Sequence, residues 1–177
     1  MPRSMLPALI ALLLVPLAGP AWSGKAHEHG VARLDVAVEP ARISFLLDLP
    51  LDGLVGFERA PRTDAERAAV EAALARLRDA AALFRVDSAA GCVPGRVALV
   101  APVLGLGAPA APEQDGHADL EASVEFSCKD TARAGFVEVG LFEAFSRLKR
   151  VDVQAATRRG QMKATLKRPT TRLPLAR

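Results

Sequence analysis

The sequence contains no tyrosine, only three histidines and only two cysteines in 177 residues. Two cysteines exclude a cysteine-rich zinc module and an iron–sulfur centre. Three histidines without tyrosine leave a short inventory for acid–base or nucleophilic chemistry. There is no HExxH, P-loop or dinucleotide fingerprint. None of Ser44, Ser88, Ser123, Ser127 and Ser146 stands in a GxSxG elbow. The net charge of +3 is too small to mark a nucleic-acid binder. What is present is an ordinary globular balance, 50% hydrophobic and 24% charged. That balance excludes a wholly disordered, collagen-like or coiled-coil chain. The length suits one domain with a sizeable core.

Residues 1–23 read as a secretory signal peptide. Arg3 supplies the positive charge, Leu6–Leu17 the apolar stretch, and Ala21-Trp22-Ser23 the small residues of a cleavage site. The apolar stretch falls short of the roughly 20 residues that span a bilayer. The expected product is an exported chain, residues 24–177, with no transmembrane segment. Export favours a bridge between Cys92 and Cys128, the only pair. It would close a loop of about 37 residues and stabilise by about 4 kcal/mol on the loop-entropy model. The alternative, a thiolate metal site, fits poorly without CxxC spacing.

Alternation of apolar and polar residues predicts strands over Gly30–Glu39 and Ile43–Leu49, joined as a hairpin. Pro50–Phe57 reads as a short helical turn. Thr63-Asp64-Ala65-Glu66 is a capping box. It opens a helix to Phe84 with Val70, Leu74, Leu77, Ala81 and Phe84 on one stripe. Arg96–Val103 reads as a strand, and Leu104–Gly116 as a mobile Gly/Pro/Ala-rich linker within a single domain. His117–Cys128 alternates again, Phe136–Leu141 is another strand, and Phe142–Leu148 a short helix or turn. Val151–Ala155 and Met162–Leu166 form a last hairpin, and Leu173–Leu175 an edge segment. His27–Phe57 and His117–Leu148 run through the same order of elements. The expected fold is α+β: an antiparallel sheet built from two hairpin-based units, with one long amphipathic helix packed on a face.

His27-Glu28-His29 is the sharpest local signal. In an extended chain, residues i and i+2 point to the same side, so two imidazoles could chelate one metal. Zinc takes three or four N, S or O ligands. His117 is the third histidine, and Asp119 stands two residues beyond it. The candidate site is therefore His27, His29 and His117, completed by Asp119 or water. The bland reading is a frayed terminus whose histidines face solvent. The carboxylate pairs Asp48 with Asp52 and Glu121 with Glu125 read as solvated surface. After Asp152 there are seven Lys or Arg and no acidic residue. This is a solvated strand face, or else a contact for anionic membrane or an acidic partner.

Several segments together resemble the ZrgA-like periplasmic proteins, a family of Gram-negative bacteria long catalogued as a domain of unknown function. They are AHEHGVARLDVAVE, LVGFERAPRTDAERAAVEAALARLRDAAALF, HADLEASVEFSC and VGLFEAFSRLKRVDVQAATRRGQ, in that order. The resemblance implies a periplasmic zinc-binding accessory protein that captures zinc for uptake or homeostasis. It implies metal contact at His27, His29 and His117, and a Cys92–Cys128 bridge. It also implies a zinc uptake transporter, or its binding protein, as partner. Neither enzyme activity nor nucleic-acid binding is expected. Family members often carry histidines in the loop before the HAD segment and at the position of Arg59; this chain has neither. One zinc site at most is expected. The alternative function is an exported envelope adaptor whose histidines have no metal role.

Overall fold

Period-two burial organises residues 31–50. Ala32, Leu34 and Val36 are buried in one strand, and Ile43, Phe45, Leu47 and Leu49 in the next, while the residues between them turn outward. The computed structural model describes residues 28–107 and 118–175. The expected signal peptide, His27, His117 and the 108–116 part of the expected linker lie outside the described residues. The described chain runs β1 (Val31–Glu39), β2 (Arg42–Pro50), α1 (Leu51–Val55), α2 (Asp64–Arg78), α3 (Ala80–Leu83), β3 (Phe84–Val86), β4 (Cys92–Val100), β5 (Asp119–Cys128), β6 (Phe136–Val139), α4 (Leu141–Ala144), β7 (Arg150–Thr157), β8 (Gly160–Leu166) and β9 (Arg172–Pro174).

Two sheets result, in a mixed α+β fold. The larger has the order β4-β5-β2-β1-β7-β8, and the smaller β3-β6-β9. All their pairings are antiparallel except β1 with β7. The small sheet meets the buried face of the large one through aromatic rings. Phe45 of β2 stacks on Phe84 of β3 with centroids 4.1 Å apart, and Phe126 of β5 meets Phe45 edge-on at 5.7 Å. Both arrangements suit the ring quadrupole. The same core takes in Val70, Leu74 and Leu77 of α2 and Leu141, Phe142, Phe145 and Leu148 around α4.

The capping box forms: Thr63 Oγ1 accepts from the Glu66 amide at 3.1 Å, and Glu66 reaches back to the Thr63 amide. The helix does not run unbroken to Phe84. Asp79, at φ −84° and ψ 77°, leaves helical geometry, and its side chain caps the short α3 by accepting from the Ala82 amide. That break resets the phase. Leu83 is buried, whereas Ala81, expected on the apolar stripe, is exposed, and Phe84 begins a strand.

The second hairpin unit is also different from expectation. β5 pairs with β2 and β4, not with the strand that follows it, and β6 belongs to the small sheet. The segment between β5 and β6 is tied down elsewhere. The Thr131 hydroxyl hydrogen-bonds the carbonyls of Glu39 and Pro40, at 2.6 and 3.1 Å, in the β1–β2 turn. This tie draws the chain towards the β1–β2 turn, and Phe136 goes on to the small sheet instead of pairing back on β5.

Cys92 and Cys128 are direct partners in the β4–β5 register and form a disulfide. Part of the basic C-terminal region is structural. Arg168 donates to the carbonyls of Leu148 and Phe142 at 2.6 and 2.8 Å. Arg172 pairs with Glu138 and lies 4.0 Å over the Phe136 ring. Among the described residues, no helix is long and apolar enough to cross a membrane.

Candidate metal centre

The large sheet gathers the beginnings of three strands, β1, β5 and β7, and the end of β2 along one border. This follows from the pairing directions: β1 runs antiparallel to β2 and parallel to β7, and β5 runs antiparallel to β2. His29 therefore precedes β1 at the border where β2 passes into α1 and where Asp119 opens β5. In the β2–β5 register Asp119 stands opposite Pro50, and the Leu51 amide donates to the Ala118 carbonyl at 2.9 Å. His117 is one peptide bond before that anchored carbonyl, although the residue itself is outside the described set.

His29 does not continue an extended strand. The Val31 amide donates to the Glu28 carbonyl at 3.0 Å, and Gly30 takes φ +76°. A positive φ at the third position of a tight turn is glycine's role. The same-side argument for an extended His-x-His therefore fails at His29, which sits within the turn. The turn is held from below, since the Lys149 amide donates to the Gly30 carbonyl at 2.8 Å. Glu28 pairs with Arg150 at 2.7 Å, and Arg150 also reaches Asp152 at 3.2 Å. The carboxylate of the HEH run is thus committed to a guanidinium.

His29 meets a carboxylate that the sequence reading assigned to solvent. Its Nδ1 lies 3.1 Å from Asp52 Oδ2; the His29 side chain is 62% exposed and that of Asp52 29%. Asp52 belongs to the first turn of α1. Nothing in its spacing from Asp48 signals this contact, which depends on the turn before β1 and the helix after β2 meeting at one border. Asp119 is half-buried, with Oδ1 shielded from solvent. Arg59 has no vacancy for a metal role: it forks onto Glu66, at 3.0 and 2.7 Å.

Of the four expected ligands, His29 and Asp119 are described; His27 and His117 lie outside the described residues. Among the described residues, no group of three or more His, Cys, Asp or Glu side chains is arranged to hold a metal ion. The described part of the border supplies one imidazole backed by a carboxylate, and one half-buried carboxylate. That donor chemistry suits zinc, which accepts imidazole nitrogen and carboxylate oxygen.

A groove of about 500 Å³ lies elsewhere, on the outward face of the large sheet. Asp35, Ser44, Leu46, Ser123, Gln154 and Lys163 contribute to its lining. It offers one carboxylate and no imidazole or thiol.

Comparison with known proteins gives one family. The model of the ZrgA family zinc uptake proteins matches residues 26–175, and the chain belongs to that family. No curated protein matches it.

Proposed function

We propose that the protein is a periplasmic zinc-binding accessory protein, exported by its N-terminal leader, that captures zinc for uptake or homeostasis. Its ligands are His27, His29 and His117, with Asp119 or a water completing the set. Zinc is cargo in this reading, passed to an uptake transporter or its binding protein, and no reaction is catalysed. Membership of a zinc uptake family supports the reading. The observation that carries it to these residues is the shared border. The turn holding His29 and the start of β5, next to His117, both lie against α1. A site that joins them would use every histidine in the chain.

Three neutral imidazoles and a carboxylate or water make a four-ligand set of ordinary zinc chemistry. Export also places the chain where uptake begins. The test is calorimetric titration of the purified exported protein with zinc. A single site per chain is expected, weakened by alanine at each of the three histidines. Absence of binding would favour an envelope adaptor with no metal role.

A further inference from the structure

We propose that β8, an edge of the large sheet, takes up an extended segment of another protein as an added strand. The segment it fits alternates acidic and apolar side chains. The proposal does not depend on zinc binding.

The two edges of the six-stranded sheet, β4 and β8, are built differently. An open edge is a row of unpaired amides and carbonyls, which proteins blunt with proline, bulges, a covering segment or charge. β4 carries three of these devices. Pro94 has no amide to offer, and the register with β5 shifts between Pro94 and Val97. Just beyond the strand, Ala101 and Leu106 close on each other through reciprocal backbone bonds of 2.9 and 3.1 Å. β8 has none of these among the described residues. It contains no proline, and it pairs with β7 without a break from Gly160 to Leu166.

What β8 does have is charge of one sign. Arg158 and Arg159 form the turn before it, Lys163 stands at its middle and Lys167 follows it, with no acidic residue from 158 to 167. Lys163 is exposed. Two copies of β8 meeting antiparallel about their centres would set Lys163 against Lys163. Like charges directly opposite are destabilising, whereas opposite charges attract. The same lysine therefore turns away a second copy of the chain and draws a carboxylate.

Burial along β8 sets the rest of the pattern. Gln161, Lys163 and Thr165 are exposed, while Met162 and Ala164 are half-buried and packed against the core. In the sheet, Met162 and Ala164 have a strand neighbour on the β7 side only. An added strand would cover them with its own inward side chains, which should be apolar. Its outward side chains would stand beside Lys163, and these should be acidic. Main-chain bonds supply affinity in such strand addition, and alternate side chains supply specificity. An anionic membrane would meet the charge, but it would leave the edge amides and the flanks of Met162 and Ala164 unpaired. The geometry therefore favours a protein strand.

The probe is a capped synthetic peptide of the length of β8 that alternates Glu with Val, beside a control that alternates Lys with Val. Both are added to the full exported protein, as wild type and as Lys163→Glu. Affinity and backbone amide exchange are read by NMR. Lys163 is exposed and lies outside the proposed zinc ligands, so the variant should fold. The Glu–Val peptide should bind wild type and slow exchange at alternate amides of β8, leaving β4 unchanged. Lys163→Glu should bind it roughly fivefold or more weakly, as an attracting cross-strand pair becomes a repelling one, and should prefer the Lys–Val peptide. Absence of binding, equal affinity in the two proteins, or binding that leaves the β8 amides unprotected overturns the proposal. Protection of β8 that rises with protein concentration alone makes a second copy the occupant and overturns it. So does binding to vesicles of phosphatidylcholine and phosphatidylserine when the Glu–Val peptide has no effect. If Lys163→Glu does not fold, Lys163→Gln replaces it. Weaker peptide binding with β8 protection retained then supports the proposal, and unchanged affinity overturns it.

Discussion

Arg59 grips Glu66 with both terminal nitrogens, at 3.0 and 2.7 Å, and so ties the loop after α1 to the first turn of α2. The same carboxylate accepts from the Arg62 amide at 2.6 Å and serves the capping box with Thr63. The charge of Arg59 stabilises a helix start.

The first prediction concerns acid. The Arg59 guanidinium, and next the Arg62 amide, hold the Glu66 carboxyl down at about 2, against 4.5 for a free one. A depressed folded-state value means that the stabilisation is complete above the unfolded value and is lost as pH falls from about 4.5 towards 2. Urea unfolding of wild type and Glu66→Gln should therefore differ at pH 6 and converge near pH 2. A gap that stays constant across this range would separate Glu66 from acid sensitivity. Thr63→Ala, which removes the other half of the box, should cost about 1 kcal/mol at neutral pH.

A second prediction contrasts neighbours on β2. Phe45 is buried between Phe84 and Phe126, whereas Leu46 is 42% exposed on the outward face. Phe45→Ala should lose about 3–5 kcal/mol, because it removes the ring that joins the two sheets and leaves a cavity. Leu46→Ala should stay within about 0.5 kcal/mol of wild type. Chemical denaturation of the two variants checks the pair. Similar losses would mean that the alternation of β2 does not set its faces.

Much of this was legible because it is local. Alternation marked β1, β2 and β5, and Thr63-Asp64-Ala65-Glu66 marked the start of α2 within one turn. The final hairpin around Arg158-Arg159-Gly160 was likewise readable, as β7 and β8. What escaped depends on contacts distant in sequence. The break at Asp79 makes room for Phe84 to join β6, and no apolar spacing within the helix announces it. Thr131 diverts the chain to Glu39 and Pro40, about ninety positions back, so the second hairpin unit never closes. At the candidate site, the histidine types were plain, but an extended His-x-His was the wrong geometry for His29. Asp52 was invisible for the same reason as β6: its partner is fixed by how strands meet, not by spacing.

The disulfide gives a third prediction. Cys92 and Cys128 are 36 positions apart and join the edge strand β4 to β5. Exported protein, unfolded without reductant, should take up no thiol label. The double variant Cys92→Ser, Cys128→Ser should lose about 4 kcal/mol on the loop-entropy model. Its zinc affinity should match the wild type, because the proposed ligands are imidazoles and a carboxylate. A loss of zinc binding in a folded double variant would return the thiols to the ligand set.

The last prediction asks whether zinc joins two strand beginnings or merely decorates one. A frayed chelate at His27 and His29 binds metal without tying anything to the fold. A site that also uses His117 bridges the turn before β1 to the start of β5, which the native border brings together and the unfolded chain does not. Zinc must then stabilise the native state by RT ln(1 + [Zn]/Kd), about 2.7 kcal/mol at a hundredfold excess over Kd. For a domain of this size that amounts to several degrees in melting temperature, given a shift of about 2–8 °C per kcal/mol. Thermal unfolding of wild type and His117→Ala, each with and without zinc, reads this directly. The wild-type transition should rise with zinc, and the His117→Ala transition should rise much less. Asp119→Asn should fall between them if the carboxylate is the fourth ligand, and match wild type if water takes that place. Equal zinc shifts in wild type and His117→Ala would remove His117 from the site and leave the border without its link between β1 and β5.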